Sequence, residues 1–123
     1  DPTPLPGEAR VVALVAGDDP AGTNVVGEIT WRALGQRGEL TLSGLSPNDT
    51  QTTQYQLWIH DASRDERFPV VGGVFDVTGR GDLQVSIQPA LPVSDVTKFT
   101  ITLEPRGGAV VSERERLAIA SLN

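Results

Sequence analysis

Tyr55-Gln56-Leu57-Trp58-Ile59-His60 is the stretch whose reading decides the fold. A strand sends successive side chains to opposite faces, so Tyr55, Leu57 and Ile59 share one face, with Gln56, Trp58 and His60 on the other. The same period of two recurs along the chain. Leu83, Val85 and Ile87 alternate with Asp82, Gln84, Ser86 and Gln88. Phe99, Ile101 and Leu103 alternate with Lys98, Thr100, Thr102 and Glu104, which assigns the threonines to a solvent face where β-branched residues suit a strand. Leu40 and Leu42 stand between Glu39, Thr41 and Ser43. Each of these segments has one dry and one wet face, as antiparallel sheets do.

Weaker strands are expected at Arg10 to Ala16, Val25 to Trp31, Val70 to Val77 and Leu117 to Ser121. Glu113-Arg114-Glu115-Arg116 favours helix, but the apolar Leu117 and Ile119 just after it return the chain to a sheet. Between the strands lie turn formers: Gly17 to Gly22, Gly35 to Gly38, Ser46 to Asp49, Thr78 to Gly81 and Arg106-Gly107-Gly108. Short strands at this spacing, without a long helical period, indicate an all-β domain. The expected form is a two-sheet antiparallel β-sandwich (Ig-like or jelly-roll-like) of about eight strands.

Composition sets the outer bounds. A chain of 123 residues with 38% hydrophobic content closes one core and carries no run long enough for a membrane-spanning helix. The start, Asp1-Pro2-Thr3-Pro4-Leu5-Pro6-Gly7, excludes helix and central strand, so residues 1–9 read as a proline-rich linker and 10–123 as the β domain. The absence of Met and the proline-rich opening fit an upstream membrane-anchor region outside these residues. A net charge of −6 argues against nucleic acid, which selects for clustered Lys and Arg. The absence of Cys excludes disulfides, thiolate metal sites and thiol catalysis.

No catalytic constellation emerges. His60 is the single histidine and reads as a half-exposed strand residue beside Asp61. There is no G-x-S-x-G elbow, no H-E-x-x-H and no phosphate-binding loop. The expectation is a protein that is not an enzyme and uses no cofactor or metal. Asp18-Asp19 and the group Asp61, Asp65 and Glu66 are the acidic clusters that a calcium ion would use, but their spacing is not that of an EF-hand loop. Arg80-Gly81-Asp82 reads as a hairpin turn before it reads as an adhesion motif. Asn48-Asp49-Thr50 fits a glycosylation pattern that matters only in a cell performing that modification.

The loop Asp61 to Pro69 is the better candidate. It concentrates three acids and two arginines and comes directly after Trp58 and its strand. Arg and Trp are enriched where interfaces hold their energy, and loops on a rigid β body are common binding elements. The expected partner-binding residues are Trp58, Arg64, Asp65, Glu66, Arg67 and Phe68, with Arg67 or Phe68 lying against the Trp58 ring.

Ser43-Gly44-Leu45-Ser46-Pro47, with Tyr55-Gln56-Leu57-Trp58-Ile59 after a short spacer, resembles the hallmark of the carboxy-terminal domain of anti-sigma-K-type factors. Gly73-Val74-Phe75 and Phe99 through Gly108 resemble the later strands and glycine turn of that family, and the resemblance runs from about Val25 to Ala120. The charged insert Asp61 to Pro69 is longer than the family's plain glycine-rich turn and resembles a subgroup with Asp-Glu-Arg at this place. The resemblance implies a single-pass regulator of the bacterial inner membrane. An upstream cytoplasmic segment would bind an extracytoplasmic-function sigma factor, and this domain would lie outside the cytoplasm. Regulated proteolysis, with a protease or sensor protein as partner, would release the sigma factor. On that view the linker Asp1 to Gly7 is the exposed target and the body resists cutting. The alternatives are a carbohydrate- or ligand-binding module of a surface protein and a structural spacer domain. Exposed aromatics would favour the first of these, but most of the six aromatics alternate toward the core.

Overall fold

The computed structural model describes residues 9–79, 82–112 and 114–122. Eight strands succeed one another: β1 Arg10–Ala16, β2 Val26–Arg32, β3 Arg37–Ser43, β4 Thr53–Asp61, β5 Val70–Phe75, β6 Leu83–Ile87, β7 Val96–Pro105 and β8 Ala118–Ser121. A strand lies wherever alternation asks for one, and all pairings are antiparallel. Among the described residues the one helical element is a 3-10 turn at Pro20–Gly22, started by Pro20 and capped by the Asp19 carboxylate, which accepts from the Ala21 N–H at 2.9 Å. The proline-rich start (1–8) and Arg80-Gly81 of the hairpin motif lie outside the described residues, as does Glu113.

The strand order is β5-β4-β7-β8-β1-β2-β3-β6. β1 gives Arg10 to Leu14 to β2 and its last two residues, Val15 and Ala16, to β8. One strand therefore belongs to both halves, and the expected pair of separate sheets is corrected to a single continuous sheet. That sheet rolls until its end strands meet, where the N–H groups of Gln88 and Ala90 donate to the carbonyls of Gly72 and Val71 at 3.0 and 2.9 Å. The result is a nearly closed barrel. Alternation could not distinguish the two forms, because a sandwich and a barrel both bury one face of every strand.

The interior obeys the pattern. Leu57, Ile59, Ile29, Leu40, Phe99 and Ile101 are wholly buried in one cluster. Trp31 meets Phe99 edge-on with centroids 5.7 Å apart, and Tyr55 stacks on Phe75 at the same distance. The Tyr55 hydroxyl, which burial holds above its ordinary pKa, donates to the Ser46 carbonyl at 2.5 Å. Gly17 marks a close crossing: a Cβ there would stand 2.2 Å from the Arg116 carbonyl oxygen, so no other residue fits where β1 leaves β8.

The outer face departs from expectation on two strands. Gln56, Trp58 and His60 of β4, and Thr100, Thr102 and Glu104 of β7, are all buried. The solvent face assigned to these threonines, and the half-exposed His60, are corrected accordingly. Both central strands are covered on both sides, inside by apolar core and outside by polar contacts.

Candidate functional site

Two segments cover the outer face of β4 and β7. One is the loop Ala62 to Pro69 that joins β4 to β5. The other is a strap, Arg106 to Ser112, that leaves β7 and crosses back over it. The glycines at the start of the strap, Gly107 and Gly108, have φ of 96° and 85°, a left-handed pair that reverses the chain at little steric cost. Gln56 then reads the strap's backbone: its Nε2 donates to the Ala109 carbonyl and its Oε1 accepts from the Ala109 N–H, both at 2.8 Å.

Beside Gln56 runs a chain of polar contacts. The Trp58 indole N–H donates to the Thr102 hydroxyl at 2.8 Å, and that hydroxyl donates to Glu104 Oε2 at 2.6 Å. An indole nitrogen only donates, so the direction of the relay is fixed. The Ser112 hydroxyl of the strap donates to the same carboxylate oxygen, and the Arg114 guanidinium stands 3.7 Å from the other. Glu104 is thus a buried charge with partners on every side, the condition under which a carboxylate is tolerated there.

His60 is held less completely. Its Nε2 lies 2.8 Å from the Thr100 hydroxyl, while its buried Nδ1 has no partner among the described residues. Burial first, and then the cations of Arg116 and Lys98, depress its pKa to about 4, against a smaller opposing effect from Glu66. The native state keeps the ring neutral, whereas the unfolded chain takes up a proton below its ordinary value of 6.5. Between these two values the unfolded state binds more protons, so stability is full above pH 6.5 and is lost as the pH falls toward 4. Melts at pH 7.5 and pH 5 should differ by about 2 kcal/mol more in the parent than in His60→Gln. Equal losses in the two proteins would show that His60 does not control this range.

The expected partner-binding residues divide. Arg64, Asp65, Glu66, Arg67 and Phe68 are exposed on the loop, but Trp58 is 1% exposed and lies beneath them. Arg67 covers the Phe68 ring at 5.4 Å and pairs with Asp65 at 3.1 Å, so neither Arg67 nor Phe68 stacks on Trp58 as expected. Glu66 reaches Lys98 at 3.2 Å. The loop is anchored by Asp61, whose carboxylate accepts from the Ser63 N–H and hydroxyl and from the N–H groups of Ser94 and Asp95, at 2.8–3.1 Å. Burial raises the Asp61 pKa, but the four hydrogen bonds outweigh it and hold the value at about 2. Asp61, Asp65 and Glu66 are each turned to a different partner, and among the described residues no three acidic or imidazole groups converge as a metal site. The glycosylation candidate is tied down too: the Asn48 amide nitrogen donates to Asp76 and to the Thr53 carbonyl.

A cleft of about 300 Å³ opens between loop and strap, with Trp58, His60 and Thr102 in its lining and Arg67, Arg114 and Arg116 beside them. A second, of about 390 Å³, lies at the other side of the loop against Asp61, Thr97 and Lys98. Reading the sequence missed Gln56, Thr100, Thr102, Glu104 and Ser112 as a connected set. The available signal was Trp58 itself, since a tryptophan on a nominally wet face calls for a cover.

No curated protein and no solved structure matches the chain. A family model described as anti-sigma-K factor rskA, C-terminal, matches residues 2–113. The match takes in the first seven strands, the charged loop and the strap that covers β4 and β7, and by it the chain belongs to the family of anti-sigma-K factor C-terminal domains.

Proposed function

We propose that this domain is the extracytoplasmic regulatory part of a membrane-anchored anti-sigma factor, and that it governs release of the sigma factor through regulated proteolysis. The observation that carries the reading is the family match over residues 2–113. The family implies a sigma factor as partner of the full-length protein, and the upstream cytoplasmic region would bind it. Residues 1–9 serve as the linker to the membrane anchor, and the β domain is the body outside. A barrel whose strands are nearly all paired offers a protease little extended backbone, which suits a domain that keeps a signal off until it is altered. The exposed loop residues Arg64, Asp65, Glu66, Arg67 and Phe68 are where a sensor or protease docks, held in place by the Asp61 anchor.

Residues 1–123 contain no Cys, so a thiol introduced among them is the single reporter within this domain, read against the parent protein. Leu34 is 69% exposed and takes the substitution without loss of packing. In intact cells carrying the full-length protein, Leu34→Cys should react with a membrane-impermeant maleimide, and the parent should show no added labelling. Labelling of Leu34→Cys only after lysis would place the domain in the cytoplasm and remove the reading.

A further inference from the structure

Residues 106–117 are the longest interval between successive strands, described over 106–112 and 114–117. Its first part, Arg106 to Ser112, buries no apolar side chain. Val110 is 84% exposed, more than any other large hydrophobic residue described, and Val111 is 44% exposed. The strap is held down by the Gln56 amide pair and the Ser112–Glu104 contact, with the left-handed glycines 107 and 108 as a hinge at one end. Apart from these few polar contacts the strap buries no apolar side chain of its own, so it opens locally at lower cost than the paired strands of the body.

Beyond the strap, β8 acts as a keystone. It has four residues, and it alone joins β7 to β1. Leu117, Ala118, Ala120 and Leu122, in and beside it, are buried. This segment also clasps the start of the domain: the Arg10 guanidinium donates to the Leu122 carbonyl at 2.7 Å, and the N–H groups of Gly17 and Asp19 donate to the Leu117 and Arg116 carbonyls at 3.0 Å.

We propose that the strap is a built-in cleavage site for an endopeptidase that selects small aliphatic side chains, at Ala109-Val110-Val111, and that cutting it releases β8 and with it the clasp on β1. This deepens the regulatory reading and rests on it. The step is peptide hydrolysis. The C–N bond after Ala109, Val110 or Val111 breaks, water supplying hydroxyl to the carbonyl carbon and a proton to the new amine. While the chain is intact, β8 sees its site at an effective concentration of order millimolar. Once cut, at micromolar protein, that occupancy advantage falls about 10³-fold. β1, which continues directly from the proline-rich start, then keeps only its pairing with β2.

Elastase, whose primary pocket accepts small side chains, is the probe. With the chain of residues 1–123 at low protease ratio, the first new amino terminus within residues 10–123 should be 110, 111 or 112. Val110→Asp/Val111→Asp, which changes exposed positions only, should slow that cut at least 10-fold with an unchanged melt. Gln56→Ala, which frees the strap, should speed it several-fold. A first cut in the loop 62–69 or in any other loop, or no slowing in the double variant, would overturn the proposal. The underlying regulatory reading is separable. In cells, if deletion of residues 10–123 changes sigma-dependent transcription but the double variant responds to stress as the parent does, the strap is not the switch and the reading stands. If the deletion changes nothing, the reading itself fails.

Discussion

Leu57→Ala is expected to destabilise the domain by about 2–5 kcal/mol, the range for removing a buried leucine side chain and leaving a cavity. Leu57 is fully buried at the centre of β4, paired with Gly73 of β5 on one side and Ile101 of β7 on the other. The space cannot collapse easily, because the strands on both flanks are fixed by their own hydrogen bonds. The neighbouring Gln56→Ala reads differently in sequence and structure. Alternation puts Gln56 on a wet face and gives it little weight. The structure buries it and sets its amide against both backbone groups of Ala109, so its loss should cost about 1–3 kcal/mol through unpaired polar groups. Urea melts of the two variants measure both values. Equal and small losses would contradict the register of β4.

Trp58→Ala carries the other large effect. The ring is buried against the strap side of the sheet, outside the main core cluster, and its N–H opens the relay through Thr102 to Glu104. Removing it takes away a large buried surface and orphans an acceptor, for an expected loss of about 3–5 kcal/mol. Trp58→Phe keeps most of the area but not the donor, and should cost about 1–2 kcal/mol. A loss below about 1 kcal/mol for Trp58→Ala would mean that the outer layer contributes nothing to stability and that the strap and loop are only draped over it.

The strands were legible because their interior faces alternate strictly, as in Leu83-Gln84-Val85-Ser86-Ile87, where strand and prediction coincide. The closure was not legible. It depends on β1 dividing its pairing between two neighbours and on Gln88 and Ala90 reaching β5, neither of which leaves a mark in a pattern of period two. The outer site was half legible. Charge density marked the loop from Arg64 to Phe68 correctly as exposed, and Trp58 stood out as a residue needing cover. Its hydrogen-bond partner, Thr102 of β7, lies more than forty residues downstream, and beside the loop the outer face is closed by the strap, whose own sequence reads only as a glycine turn. Sequence reasoning works along the chain, and polar networks such as Gln56 with Ala109 or Thr102 with Glu104 and Ser112 are set by which strands become neighbours.

The central claim is that this barrel, by remaining folded outside the cytoplasm, restrains release of a sigma factor it does not itself bind. The direct measurement is transcription from a sigma-dependent promoter in cells whose full-length protein lacks residues 10–123, compared with the intact protein at rest and under stress. The account predicts higher resting transcription without the domain and little further rise under stress. Identical transcription with and without it, in both conditions, would contradict the claim and leave the domain as a spacer.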